Sequence, residues 1–230
     1  MKMINIAISI FKNICNAVAD TMFPKHCILC GKMIPVCRQR CICDNCVPKV
    51  RQCETVLTDN DCGCCEVISP FEYSGHTRDA MLRFKFKGIK YIGHTFADYM
   101  ADMIADRSFL KEDCIMVSMP IHVQRDRDYN QSDIMAQRIA DRLGMSYYKD
   151  IVCKVKPISR ISGMTLKDKR FFVEGSFHFN CCYNLTGKTV VVVDDIYTSG
   201  TTMAEFAKLL KMNGASKVYA LTACMTKAER

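Results

Sequence analysis

Asp194 and Asp195 stand side by side, just after four valines, Val190 to Val193. Two residues later comes a loop of small hydroxyl-bearing residues, Thr198-Ser199-Gly200-Thr201-Thr202. Adjacent carboxylates can grip a vicinal diol, because each oxygen accepts a hydroxyl proton. The loop offers backbone N–H groups, three threonine hydroxyls and one serine hydroxyl at the start of a helical pattern. That combination is an anion site, most simply one for phosphate. A ribose 5-phosphate carries both the diol and the phosphate.

A second chemistry-bearing set lies near the start. Cys27 and Cys30 form one C-x2-C pair, Cys43 and Cys46 another, with twelve residues between the pairs. This spacing suits a tetrahedral zinc held by four cysteines, and Gly31 eases the turn after the first pair. A reduced cysteine-rich loop without metal is the plainer alternative. Cys37 and Cys41 lie between the pairs as competing ligands. Cys53, Cys62, Cys64 and Cys65 follow, of which only Cys62 and Cys65 have the C-x2-C spacing, so a second zinc site stays open. A closed four-cysteine site leaves no place for a reactive water, so the expected zinc is structural.

Two further groups carry charge. Arg83, Lys85, Lys87 and Lys90 interleave with Phe84 and Phe86. Such a stretch can stack bases and meet phosphates, or it can be a solvated helix end with its phenylalanines turned inward. Arg125, Arg127, Tyr129, Asn130 and Gln131 follow a buried-strand run, Cys114 to Met119. Arginines there can grip pyrophosphate bidentately. His122, nearby, reads as a packing or hydrogen-bonding residue.

The elements that must position these groups alternate. Strands are expected at 66–73, 114–119, 151–155, 190–194 and 217–224. Helices are expected at 3–22, 94–106, from Ser132 or Asp133 to Leu143, and at 202–212. Apolar periodicity, Gly144 and Asn213-Gly214 set these bounds. The valine run has the continuous apolar character of a strand covered on both faces. Alternation of strand and helix implies a parallel, doubly wound α/β sheet, whose ligands bind at the carboxyl ends of the strands. The basic, irregular stretch from Lys156 to Asn180, with Arg160, Lys167, Lys169 and Arg170, reads as a flap over that site.

Composition sets limits. The 230 residues are 49% apolar with net charge +8, enough for a mid-sized core and favourable to anionic partners. Of 16 cysteines, 11 fall between Cys15 and Cys65. The apolar run from Ile4 to Phe11 is too short to span a bilayer and has no cleavage site, so no transmembrane segment or secretory signal is expected. A thiol-rich chain without such a signal points to the cytoplasm and to metal ligation rather than disulfides. Three segments follow: 1–25, an amphipathic helix; 26–66, a Cys-rich zinc-binding module; and 67–230, the α/β domain.

The stretch VVVVDDIYTSGTT resembles the signature of the type I phosphoribosyltransferases, matching it at every position. The chain as a whole resembles the ComF family, phosphoribosyltransferase-like proteins associated with natural competence. Phe23-Pro24 and the knuckles resemble that family's zinc finger. Arg83 to Gly88 resembles its Lys-Tyr-x-Gly block, Arg127-Asp128-Tyr129-Asn130-Gln131 its R-G-F/Y-N-Q motif, and Leu166 to Phe177 the stretch before the loop. Asp128, Ile161 and Phe172 depart from the residues usual there, Gly, Gln and Asn.

The resemblance implies a type I phosphoribosyltransferase-like parallel sheet flanked by helices, with a small N-terminal Cys-rich zinc module. It implies that Asp194 and Asp195 hold the ribose hydroxyls of phosphoribosyl pyrophosphate (PRPP), directly or through Mg²⁺. It implies too that Thr198, Ser199, Gly200, Thr201 and Thr202 wrap the 5-phosphate, with Lys85, Arg125 and Arg127 as further ligand-binding residues. Competence implies single-stranded DNA and other competence proteins as partners. The expectation is a PRPP-binding protein, transferase activity undecided, linked to DNA uptake. A DNA-binding competence module and a PRPP-sensing regulator without transferase activity are the rival readings.

Overall fold

The computed structural model describes residues 25–35, 40–51, 55–57, 63–121, 129–154 and 175–226. The expected helix at 3–22, Phe23-Pro24, Cys37, Cys53, Cys62, His122, Arg125, Arg127 and nearly all of the expected flap lie outside these residues.

In chain order the helices are α1 (Val47–Arg51), α2 (Gly75–Lys87), α3 (Lys90–Ile104), α4 (Gln131–Leu143) and α5 (Thr201–Met212). The strands are β1 (Thr55–Leu57), β2 (Val67–Ser69), β3 (Phe71–Glu72), β4 (Cys114–Ser118), β5 (Ser146–Tyr147), β6 (Val152–Lys154), β7 (Phe177–Phe179), β8 (Thr189–Tyr197) and β9 (Lys217–Met225). The main sheet runs β1-β2-β9-β8-β4-β5, with β3 also on β9. Among the described residues every pairing in it is parallel except β1 with β2.

β8 lies inside the sheet, where its continuous apolar run is covered on both faces. Val190, Val191, Val192 and Val193 are all fully buried, flanked by β4 and β9. Side chains alternate across a strand, so Val191 and Val193 join one apolar cluster and Val190 and Val192 the other. The first cluster takes in α2, α3 and α4; the second takes in α5. Each buried valine is worth about 1.5–3 kcal/mol, so this strand anchors whatever its carboxyl end carries.

Some elements differ from expectation for visible reasons. The strand at 66–73 is broken at Pro70, which has no N–H for the ladder, and becomes β2 and β3. The strand at 151–155 does not join the main sheet. The edge beside β4 is already taken by β5, through Ile115 and Ser146. Val152–Lys154 instead pairs antiparallel with Phe177–Phe179 as a separate two-stranded sheet. That ribbon packs under α5, where the Phe177 and Phe206 rings meet edge to face at 5.2 Å.

The helix expected at 94–106 starts earlier, at Lys90, because Ile92 and Gly93 are already buried. Gly93 is needed there: a Cβ would sit 2.3 Å from the Phe84 ring. Buried Asp98 of α3 takes two hydrogen bonds from Arg138 of α4, at 2.9 and 3.1 Å. This fork binds the two helices as a charge-assisted pair.

Candidate functional site

β8 runs on past its valines, so Asp194 and Asp195 lie in its second half, with Asp194 in register with Thr222 of β9. The chain then turns through Thr198 to Gly200 and enters α5 at Thr201. Gly200 has φ +70°, and a Cβ there would fall 2.4 Å from the Tyr197 hydroxyl oxygen. Both facts require glycine. Its carbonyl accepts from the Ala204 N–H at 2.8 Å, so the helix begins at once. Among the described residues no side chain caps the first turn, and the Ser199 and Thr201 hydroxyls stand 3.1 Å apart. Asp194, Ile196, Tyr197 and Thr198 to Met203 line a hollow of about 80 Å³. Hydroxyl-bearing residues, the start of α5 and Asp194 line it, and a helix N-terminus favours negative charge.

The two acids are not equivalent. Burial, and next the Asp195 charge, push the Asp194 carboxyl up to about 7. The Asp195 backbone N–H at 2.8 Å, Lys85 and the Ser132 hydroxyl at 3.3 Å oppose this. Asp195 instead receives the Lys85 ammonium at 2.7 Å, both side chains being less than one-fifth exposed. The sequence offered Lys85 as a ligand residue of a basic patch. The fold places it on the acid pair, so the site contains its own cation.

Neighbouring side chains steady this corner. Asn130 caps α4, its side-chain oxygen accepting from the Ser132 N–H at 3.0 Å. One oxygen of Asp133 accepts from the Ser118 hydroxyl (2.5 Å), the Asn130 amide (2.9 Å) and the Tyr147 hydroxyl (3.0 Å). Burial raises the Tyr147 phenol above its ordinary range, which keeps it a donor.

The Cys27, Cys30, Cys43 and Cys46 sulfurs all lie within 4.8 Å of one another. The Cys43 N–H donates to the Cys27 sulfur at 3.4 Å, and the Cys30 and Cys43 sulfurs are 3.6 Å apart. Burial pushes the Cys27 thiol up, but N–H groups of Cys30, Cys43 and Leu29 outweigh it and bring it down to about 7. Burial and shared hydrogen bonds raise Cys46. Converging thiols with N–H donation to sulfur fit tetrahedral zinc. Among the described residues this is the one such group of three or more metal-ligating side chains.

The family described as phosphoribosyl transferase domain matches residues 134–230, the part that holds β8, the acids and the loop. Competence protein F of Haemophilus influenzae is 31% identical over 142 residues, 59% of this chain and 62% of that protein. DNA utilization protein YhgH of Salmonella typhimurium is 30% identical over 113 residues, 48% of this chain and 49% of that one. Competence protein ComFC of Streptococcus pneumoniae is 24% identical over 148 residues, covering 64% and 63%. The chain is similar to ComF-type competence proteins and, over its second half, to the phosphoribosyl transferase domain.

The chain spans about half to just under two-thirds of the length of these curated relatives. A hypoxanthine phosphoribosyltransferase from Staphylococcus aureus overlays with TM-score 0.39 at 12% identity, covering 60% of this chain and 69% of that one. A hypoxanthine-guanine phosphoribosyltransferase from Bacillus anthracis gives 0.41 at 16%, covering 61% and 73%. The fold assignment therefore stands on strand order and on the family match.

Of the residues the sequence singled out, the loop, both acids and Lys85 meet at one sheet end. Phe84 is buried, whereas Phe86 is 67% exposed, so the basic stretch divides between the two readings given to it. Arg125 and Arg127 lie outside the described residues. For the second zinc set, Cys64 is buried and Cys65 half-buried. Ser118, Ser132, Asp133 and Tyr147 were not legible as site residues. Ser132 and Asp133 were read only as the start of a helix, whose observed cap is Asn130.

Proposed function

We propose that this ComF-type protein binds PRPP with Mg²⁺ at the carboxyl end of β8. In this reading the 5-phosphate lies in the hollow between Thr198 and Thr202, taking N–H groups of the first turn of α5. Asp194 and Asp195 would hold the ribose hydroxyls or the Mg²⁺, which would supply charge stabilisation there. Lys85, with Arg125 and Arg127, meets the pyrophosphate. One observation carries this: a hydroxyl-walled hollow at a helix start adjoins a carboxylate pair. If the protein is a transferase, a nucleophilic nitrogen forms a bond to C1 as the bond from C1 to the pyrophosphate oxygen breaks. Positioning and charge stabilisation would then supply most of the acceleration. Cys27, Cys30, Cys43 and Cys46 would hold one structural zinc.

The deciding experiment is calorimetric titration of PRPP with and without Mg²⁺, for the wild type and for the double variant Asp194→Ala with Asp195→Ala. Mg²⁺-dependent binding that the double variant loses supports the reading, and equal binding by both overturns it. Pyrophosphate release over a panel of nucleobases then separates a transferase from a PRPP-sensing regulator.

A second reading is supported by Phe86. This exposed ring stands beside exposed Lys87 and Lys90. An exposed aromatic flanked by lysines suits single-stranded DNA, through stacking and phosphate contact. The relatives' names, which speak of competence and DNA utilization, agree with this. Single-stranded DNA binding that weakens with salt and with Phe86→Ala would bear it out. Binding unaffected by either change would exclude this surface.

A further inference from the structure

Three consecutive residues of α2 face three different parts of the molecule. Successive helix positions are about 100° apart, so neighbours in sequence need not share a partner. The Arg83 guanidinium donates to the carbonyl oxygen of Ile28, in the turn between Cys27 and Cys30. Ile28 is fully buried, and its own N–H donates to the Cys41 carbonyl at 2.8 Å. The point that Arg83 grips is therefore an ordered part of the knuckle. Phe84 is fully buried against Gly93, and the Tyr129 hydroxyl donates to the Phe84 carbonyl. Lys85 reaches Asp195 at 2.7 Å. The knuckle and these helices belong to one apolar cluster, and close-packed interiors transmit a shift rather than absorb it.

We propose that Arg83 is a positioning residue: it fixes the last turn of α2 against the Cys27–Cys30 knuckle, so that an ordered knuckle holds Lys85 on Asp195. Metal occupancy of the four thiols then sets the affinity of a site that the metal does not touch. The consequence for ligand affinity rests on reading the acid pair as the phosphosugar site. The placement of Lys85 does not.

The test uses the full chain, zinc-loaded, with lysines labelled by reductive ¹³C-methylation and the Lys85 signal assigned through Lys85→Arg. In Arg83→Ala that retains its zinc, the Lys85 signal moves to the position of exposed lysines. Affinity for Mg²⁺-PRPP falls about five-fold, within the usual range of coupling between sites. In a Lys85→Ala background the same Arg83→Ala change has no effect on affinity. Removing zinc from the wild type with a chelator moves the Lys85 signal in the same direction, and adding zinc back restores it. An unmoved Lys85 signal in Arg83→Ala, or after chelation, overturns the proposal. So does an affinity loss that persists undiminished in Lys85→Ala. Should Arg83→Ala lose its zinc or its fold, Arg83→Lys is judged by the same signal. A wild type that binds no PRPP sinks the phosphosugar reading alone, and the Lys85 signal still decides the role of Arg83.

Discussion

The four-cysteine knuckle and the carboxyl end of β8 are assembled in opposite ways. The knuckle draws its four sulfurs from Cys27 to Cys46, a short stretch of chain. The β8 site draws its loop from one strand-to-helix turn, but its cation from Lys85 and its hydroxyl donor from Ser132. The first site is closed by local chain geometry, and the second only by the packing of α2 and α4 onto the sheet. Changes in the knuckle should therefore act mainly on stability, reaching ligand affinity only through Arg83 and Lys85, whereas changes at the β8 site act on affinity directly.

Breaking the knuckle should give the largest effect. Cys27→Ser removes one of four ligands, and structural zinc contributes folding energy outright. Zinc content should fall to near none, and stability by roughly 3–5 kcal/mol, because Cys27 and Ile28 share the core of α3. Metal analysis and denaturant unfolding check this. At the other site, Asp194→Ala with Asp195→Ala should weaken Mg²⁺-PRPP binding about 100-fold, near 2.7 kcal/mol, with the fold retained by circular dichroism. A knuckle variant of full stability, or an acid-pair variant that unfolds, would break the contrast.

Smaller effects sharpen it. Gly200→Ala should cost about 1–3 kcal/mol, from strained backbone and the clash with Tyr197. Thermal unfolding measures this. Asp194 gives a pH test. Its folded value of about 7 lies above the ordinary 3.8, so the folded chain holds this proton more tightly than the unfolded chain. Stability therefore falls as pH rises from about 4 to about 7. Asp194→Asn, in buffer without divalent cations, should be more stable than the wild type at pH 8, by about 1–2 kcal/mol after discounting for solvent. The difference should vanish near pH 4, and a difference independent of pH would contradict the assignment. The smallest effect is expected at the far end of the sheet. There Lys217 meets Glu112 at 2.6 Å on the surface. Lys217→Ala should leave the melting temperature unchanged, as exposed pairs contribute little.

Much of this was legible before any coordinates. Val190 to Val193 could only be a buried strand, and Gly200 could only be a turn into a helix, since both follow from residue type. Cys27, Cys30, Cys43 and Cys46 were legible because C-x2-C spacing brings two sulfurs together whatever the rest of the chain does. The strand at 151–155 was misplaced because its apolar pattern does not say which partner it pairs with. That was decided by β5, a two-residue strand too short to show any periodicity. Ser118, Asp133 and Tyr147 were missed for the same reason. They come from three elements, and each alone is an ordinary polar residue.

The chain by itself determined the parts whose geometry closes locally: the valine strand, the strand-to-helix loop and the knuckle. Local closure costs little chain entropy, so residue type and spacing suffice. Tertiary structure alone decided that Lys85 neutralises Asp195, that Ser132 reaches Asp194, and that Arg83 ties the knuckle to the same helix. Those contacts join residues far apart in sequence. They exist because two apolar faces of one sheet had to be covered, and covering them fixed where the helices carry their charges.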